Sequence, residues 1–126
     1  MTLQRLLSFG QRDAEHRPSL VEYARRDYEP VSTDSEFLTC WAKLRNAIEG
    51  EDIPDAALTG LRAFLTQVAP EDSATVCLTL NCDVSFDVSA GMLCMDDHMT
   101  DLVCCDAHCM LSELDTLIEA YDARFA

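Results

Sequence analysis

The chain has 126 residues, 48% of them hydrophobic, and 23 acidic side chains against nine Lys and Arg leave a formal charge of −14. That length fits one domain, residues 1–126, able to bury roughly two thirds of its unfolded surface, with 1–18 as a loosely packed N-terminal segment. The charge repels nucleic-acid phosphates and anionic membranes, the opening residues hold no signal-peptide core, and no apolar run approaches the roughly twenty residues of a membrane span; a cytoplasmic protein is expected.

Leu3, Leu6 and Leu7 stand at helical spacing, in a short helix that Gly10 would end. Ser19 and Glu22 form a capping-box pattern that opens a second helix through Tyr28, stopped by Pro30. Thr33 and Glu36 repeat the pattern before a firmer helix whose Phe37, Trp41, Leu44 and Ile48 share one face up to Gly50. Pro54 lies near the start of a fourth helix, with Leu58, Leu61, Leu65 and Val68 as its buried stripe. Gly60 inside it is unfavourable relative to Ala and predicts a close helix crossing.

The period then changes. Val76, Leu78, Leu80, Cys82, Val84, Phe86 and Val88 alternate with small polar residues, which marks a β-hairpin or one long strand at 75–89. In a hairpin, face parity favours a three-residue loop that sets Leu80 against Val84 and Leu78 against Phe86. After Gly91, the stretch Met92–Tyr121 reads as one long amphipathic helix with Val103, Ala107, Met110, Leu114, Leu117 and Tyr121 as its seam, widened by Cys104, Leu111 and Ile118. The fold class is therefore α+β: about four N-terminal helices, a hairpin or long strand, and a long C-terminal helix. An open strand edge and a strong apolar helix face together predict a symmetric homodimer.

Charge is uneven along the chain: residues 51–126 carry only Arg62 and Arg124 against fifteen acids. Asp96, Asp97, Asp101, Asp106, Glu113 and Asp115 are the candidate partner-binding residues, on a carboxylate-rich surface that would draw a basic protein by long-range steering. The expected function is that of a small acidic binding protein of the inhibitor, immunity, chaperone or nucleic-acid-mimic type. Catalysis is not expected: no phosphate-cradling glycine loop or nucleophile-elbow pattern is present, and an acidic environment would raise rather than lower a thiol pKa.

Seven cysteines are an odd number for a disulfide framework, so reduced thiols are the expectation. Cys94 with His98, Cys104 with His108, and Cys105 with Cys109 each stand four apart, a spacing that puts two soft ligands on one side of a helix turn. The alternative function is thus a zinc-binding regulatory or structural module using Cys94, His98, Cys105, His108 and Cys109; otherwise Cys94 and Cys104 are small core side chains and no cofactor is needed.

Asp101–Ala107, DLVCCDA, also resembles the short Leu-x-Cys-x-Glu motif by which several DNA tumour-virus oncoproteins engage retinoblastoma-type pocket proteins, with Leu102, Cys104 and Asp106 at the matching positions. Asp stands where that motif has Glu. The resemblance implies an extended peptide where the periodicity predicts helix, and no function is carried over from it.

Overall fold

A computed structural model describes residues 17–48, 55–68, 72–78, 84–97 and 101–125. The helix expected at Leu3–Gly10, most of the connector after it, Gly50 and Pro54 lie outside the described residues.

Ser19 caps helix α1, Leu20–Arg26: its Oγ accepts from the Glu22 amide at 3.1 Å, as the capping box predicts. The Asp55 carboxylate, from a residue 35 positions further on, accepts from the Leu20 and Val21 amides at 3.0 and 3.1 Å. A negative charge at a helix N-terminus is favourable, and this one ties two helices together. Helix α2, Ser35–Ile48, is capped by Asp34 rather than Thr33, through a 2.9 Å bond from the Phe37 amide. Its Phe37, Trp41, Leu44 and Ile48 are all buried, as their spacing predicts. Helix α3, Asp55–Gln67, buries Leu58, Leu61 and Leu65. Gly60 does not mark a close crossing: a Cβ built there meets nothing within 4 Å, and the residue is exposed.

Four antiparallel strands follow in the order of the chain: β1 Ser73–Leu78, β2 Val84–Ser89, β3 Met92–Asp96 and β4 Val103–Asp106. The α+β class holds, but the order of elements departs from the expectation. Residues 92–96 and 103–106 are strand, and the final helix, α4, runs from Ala107 to Phe125. Leu93 and Met95, then Val103 and Cys105, alternate with outward residues over five and four positions. So short a period of two is hidden inside a pattern that also satisfies 3.6. From Ala107 onward the predicted seam is real, with Met110, Leu114, Leu117 and Tyr121 buried.

The hairpin keeps the predicted parity but not the predicted register. Leu78 opposes Val84 and Val76 opposes Phe86, with five residues between the strands instead of three. Even-numbered positions of β1 and β2 therefore share one face, continued by Leu93, Met95, Val103 and Cys105. That face joins residues of all four described helices in a single core. The side chains of the opposite face lie outside that core and are Ser, Thr, Asp and Cys with the exposed Met92, the usual one-sided burial of an antiparallel sheet.

Ala90 and Gly91 form the two-residue turn between β2 and β3, with φ of 53° and 79°. Positive φ at both central positions is the type I′ geometry that matches the twist of a hairpin. Glycine adopts it freely, whereas an alanine Cβ does not. Ala90→Asn is therefore expected to stabilise the fold by roughly 0.5–1 kcal/mol, seen as a higher urea midpoint with an unchanged slope; an unchanged or lower midpoint would show that the turn has another geometry.

Candidate functional site

The strands place eleven side chains on the open face, in rows set by the register: Ser73, Ser89, Met92 and Asp106; Thr75, Asp87, Cys94 and Cys104; Cys77, Ser85 and Asp96. Asp87, Asp96 and Asp106 thus lie on three neighbouring strands around Cys94, with no Lys or Arg among the described residues of that face. Asp87 accepts from the Thr75 hydroxyl at 2.6 Å. Asp106 ends β4 and begins α4: its carboxylate accepts from the Cys109 amide at 3.0 Å, as an N-cap does.

Cys94 and Cys104 face one another across β3 and β4 and form a disulfide, with Cα atoms 4.0 Å apart. The expectation that all thiols are reduced is corrected here, and so is the placing of Cys104 in a buried helical seam. Cys40, Cys77, Cys105 and Cys109 are free. Cys105 points the other way from Cys104 and meets Cys40 of α2 inside the core, both thiols fully buried. The bond that Cys105 donates to Cys40 holds it far above the ordinary thiol range, with burial adding to the effect, while the same bond draws Cys40 down.

The expected metal ligands are not brought together. Cys94 is in the disulfide, Cys105 is in the core, and Cys109 is half-buried on α4, 3.6 Å from the Ser32 hydroxyl. His108 is exposed on the first turn of α4, and His98 lies outside the described residues. Among the described residues no group of three or more His, Cys, Asp and Glu side chains could hold a metal ion.

The six expected partner-binding acids do not form one helix face, because the helix does not extend that far back. Asp96 faces outward on β3. Asp97 pairs with Lys43 of α2 at 3.6 Å, and the same ammonium donates to the Asp101 carbonyl, so one buried lysine grips both ends of the β3–β4 connection. Asp115 pairs with Arg62 of α3. Glu113 is only 3% exposed, so it lies inside the protein and not on a surface. It accepts from the Tyr28 hydroxyl and from the Val31 and Ser32 amides, at 2.8 and 3.0 Å for the amides.

Sequence reasoning missed the disulfide, Asp87 and the Tyr28–Glu113 pair. The alternation of Leu93 with Met95 and of Val103 with Cys105 was the signal for the first; the last joins residues 85 apart and leaves no local pattern. Cys104 and Asp106 lie in strand β4, with Leu102 just before it, so part of the stretch is extended as the resemblance to the pocket-protein motif implies. Cys104, however, is held in the disulfide. Comparison with protein-family models, curated proteins and solved structures finds no match to the chain. No helix among the described residues is long and apolar enough to cross a membrane.

Two outcomes follow from this geometry. The disulfide closes a loop of ten residues, worth roughly 2–3 kcal/mol in chain entropy. Dithiothreitol, or the double substitution Cys94→Ser with Cys104→Ser, is expected to lower the melting temperature by roughly 10 °C; calorimetry showing no change would mean that the bond does not form. Burial, and then the hydrogen bond to Glu113, raise the Tyr28 hydroxyl far above its ordinary 10.0. Above that pH the unfolded chain releases this proton while the folded chain keeps it, so stability falls as pH rises. Urea titrations across the alkaline range should show a steeper loss for the wild type than for Tyr28→Phe; parallel curves would mean that Tyr28 titrates normally.

Proposed function

We propose that the protein is a small acidic binding protein that presents the open face of its sheet, with Asp87, Asp96 and Asp106, to a basic protein partner. One observation supports this reading above the rest: every basic side chain among the described residues is engaged within the chain. Arg25 and Arg26 meet Glu22, Arg45 donates to the Arg25 carbonyl, Lys43 is buried against Asp97, and Arg62 meets Asp115. Arg17 and Arg124 lie over aromatic rings near the C-terminus. Of these only Lys43 is buried and Arg17, Arg26, Arg62 and Arg124 stay exposed, but with each cation engaged within the chain the excess carboxylates set the outer field, which steers a positively charged partner and disfavours nucleic acid and anionic lipid.

Binding rather than catalysis is the role proposed, in the cytoplasm. In that reducing compartment the half-exposed Cys94–Cys104 pair would open and close with the local redox state instead of serving as a permanent staple. Asp106 is best neutralised with asparagine, which also caps helices. The triple variant Asp87→Asn, Asp96→Asn, Asp106→Asn should keep its circular dichroism and associate with its partner roughly tenfold more slowly at low salt, the difference closing as salt rises. Affinity capture from the producing cells, quantified by mass spectrometry for wild type and variant side by side, is the measurement. Equal recovery of every basic protein by both would overturn the reading.

A further inference from the structure

The two edges of the sheet are finished differently. Strand β4 is covered, because α2 packs along it and places Cys40 against Cys105. Strand β1 is terminal, and among the described residues no strand lies on its far side. Protein edges are ordinarily protected by charge, proline, a bulge or shortness. Ser-Ala-Thr-Val-Cys-Leu has none of these: it is six residues long, uncharged, and paired with β2 without interruption.

Beside this edge the core is incomplete. Val76 is only partly buried although its cross-strand neighbour Phe86 is fully so. Between β1 and α3 runs an open groove of about 150 Å³, lined by Ala56, Ala57, Gly60 and Leu61 on one side and Val76 and Leu78 on the other. In a chain of charge −14, neither β1 nor the stretch from Ala56 to Gln67 carries a carboxylate. A basic partner would be drawn elsewhere, whereas a second copy of this acidic protein meets the least repulsion here.

We propose that β1 pairs antiparallel with β1 of a second copy, about a twofold axis, to make an eight-stranded sheet with the grooves closed against each other. Strand parity narrows the register. Residues opposed across the axis must share a face, so the axis passes through an odd- or an even-numbered residue and not between two. Centring on Val76 sets Val76 against its twin and Ala74 against Leu78 of the other copy, all on the helix side, where they fill the groove. The same register sets Thr75 against Cys77 on the open face, where both are exposed. A symmetric pairing of this kind satisfies both free edges at once. It uses a surface separate from the acidic face, and either proposal can fail alone.

Sedimentation of the full chain over a range of concentration and salt is the primary test, with a dimer that tightens as salt screens the two acidic bodies. Gly60→Glu supplies the control: its side chain enters open space and a better helix former replaces glycine, so melting should be unchanged or improved while the dimer is lost. Thr75→Cys tests the register, since diamide should then link it to Cys77 of the other copy, taking up the two protons and two electrons released by the thiols. A monomer under all conditions overturns the proposal. It is also overturned by a dimer that survives Gly60→Glu without the Thr75→Cys cross-link, and by a monomer whose β1 amides resist hydrogen exchange, which would mean that another part of the chain lies on that edge.

Discussion

A carboxylate in the wrong solvent organises the helical layer. Glu113 lies on the inward side of α4, where an unpaired charge would cost several kcal/mol, and it is tolerated because three donors converge on it. Those donors all come from the segment that joins α1 to α2. Removing the acceptor would leave a buried hydroxyl and two amides without partners, which is worse than never having built the pair. The bond therefore fixes where α1 ends and α2 begins relative to α4, and with it the ring cluster of Tyr23, Tyr28, Trp41, Tyr121 and Phe125 that fills the space between them.

The sheet hangs on a second constraint, the direct passage from β4 into α4. Asp106 is at once the last residue of the strand and the cap of the helix, and the Ala107 amide donates to the carbonyl of Gly91 in the β2–β3 turn at 2.9 Å. No linker absorbs error between the two elements. Lys43, gripping Asp97 and the Asp101 carbonyl from below, holds the connection that feeds this junction. Charge inside the molecule thus serves geometry, while the charge left outside sets the field that partners meet.

How much of this could be read from residues alone depends on the range of the interaction. The stripe of α2, the Ser19 cap and the seam of α4 after Ala107 are local patterns of period 3.6, and each is found where it was expected. The change to period two near Val76 was equally legible, and its parity was right even though the register was shifted by one pair. The strands at 92–96 and 103–106 were not, because four or five residues of alternation are also a plausible helix face. The errors about the cysteines descend from that one: a helix would set their spacing by its rows, whereas their distances are set by pairing across a sheet. Glu113 was misread for a different reason. Its helical position allowed either exposure or a buried partner, and only the distant Tyr28 segment decided between them.

The adjacent pair Cys104 and Cys105 works as a parity mark on the chain. One belongs to the open face and the other to the core, and a shift of a single position exchanges them, breaking the disulfide and exposing the partner of Cys40. Since α4 begins with no spacer, the shift could not be taken up after the strand. Both outward residues of Val103–Asp106 have tasks fixed by position, Cys104 the disulfide and Asp106 the helix cap, so the number of residues in the strand is as constrained as their identity. An insertion or deletion between Val103 and Ala107 would therefore cost the disulfide and the helix cap together, whatever residues it added or removed.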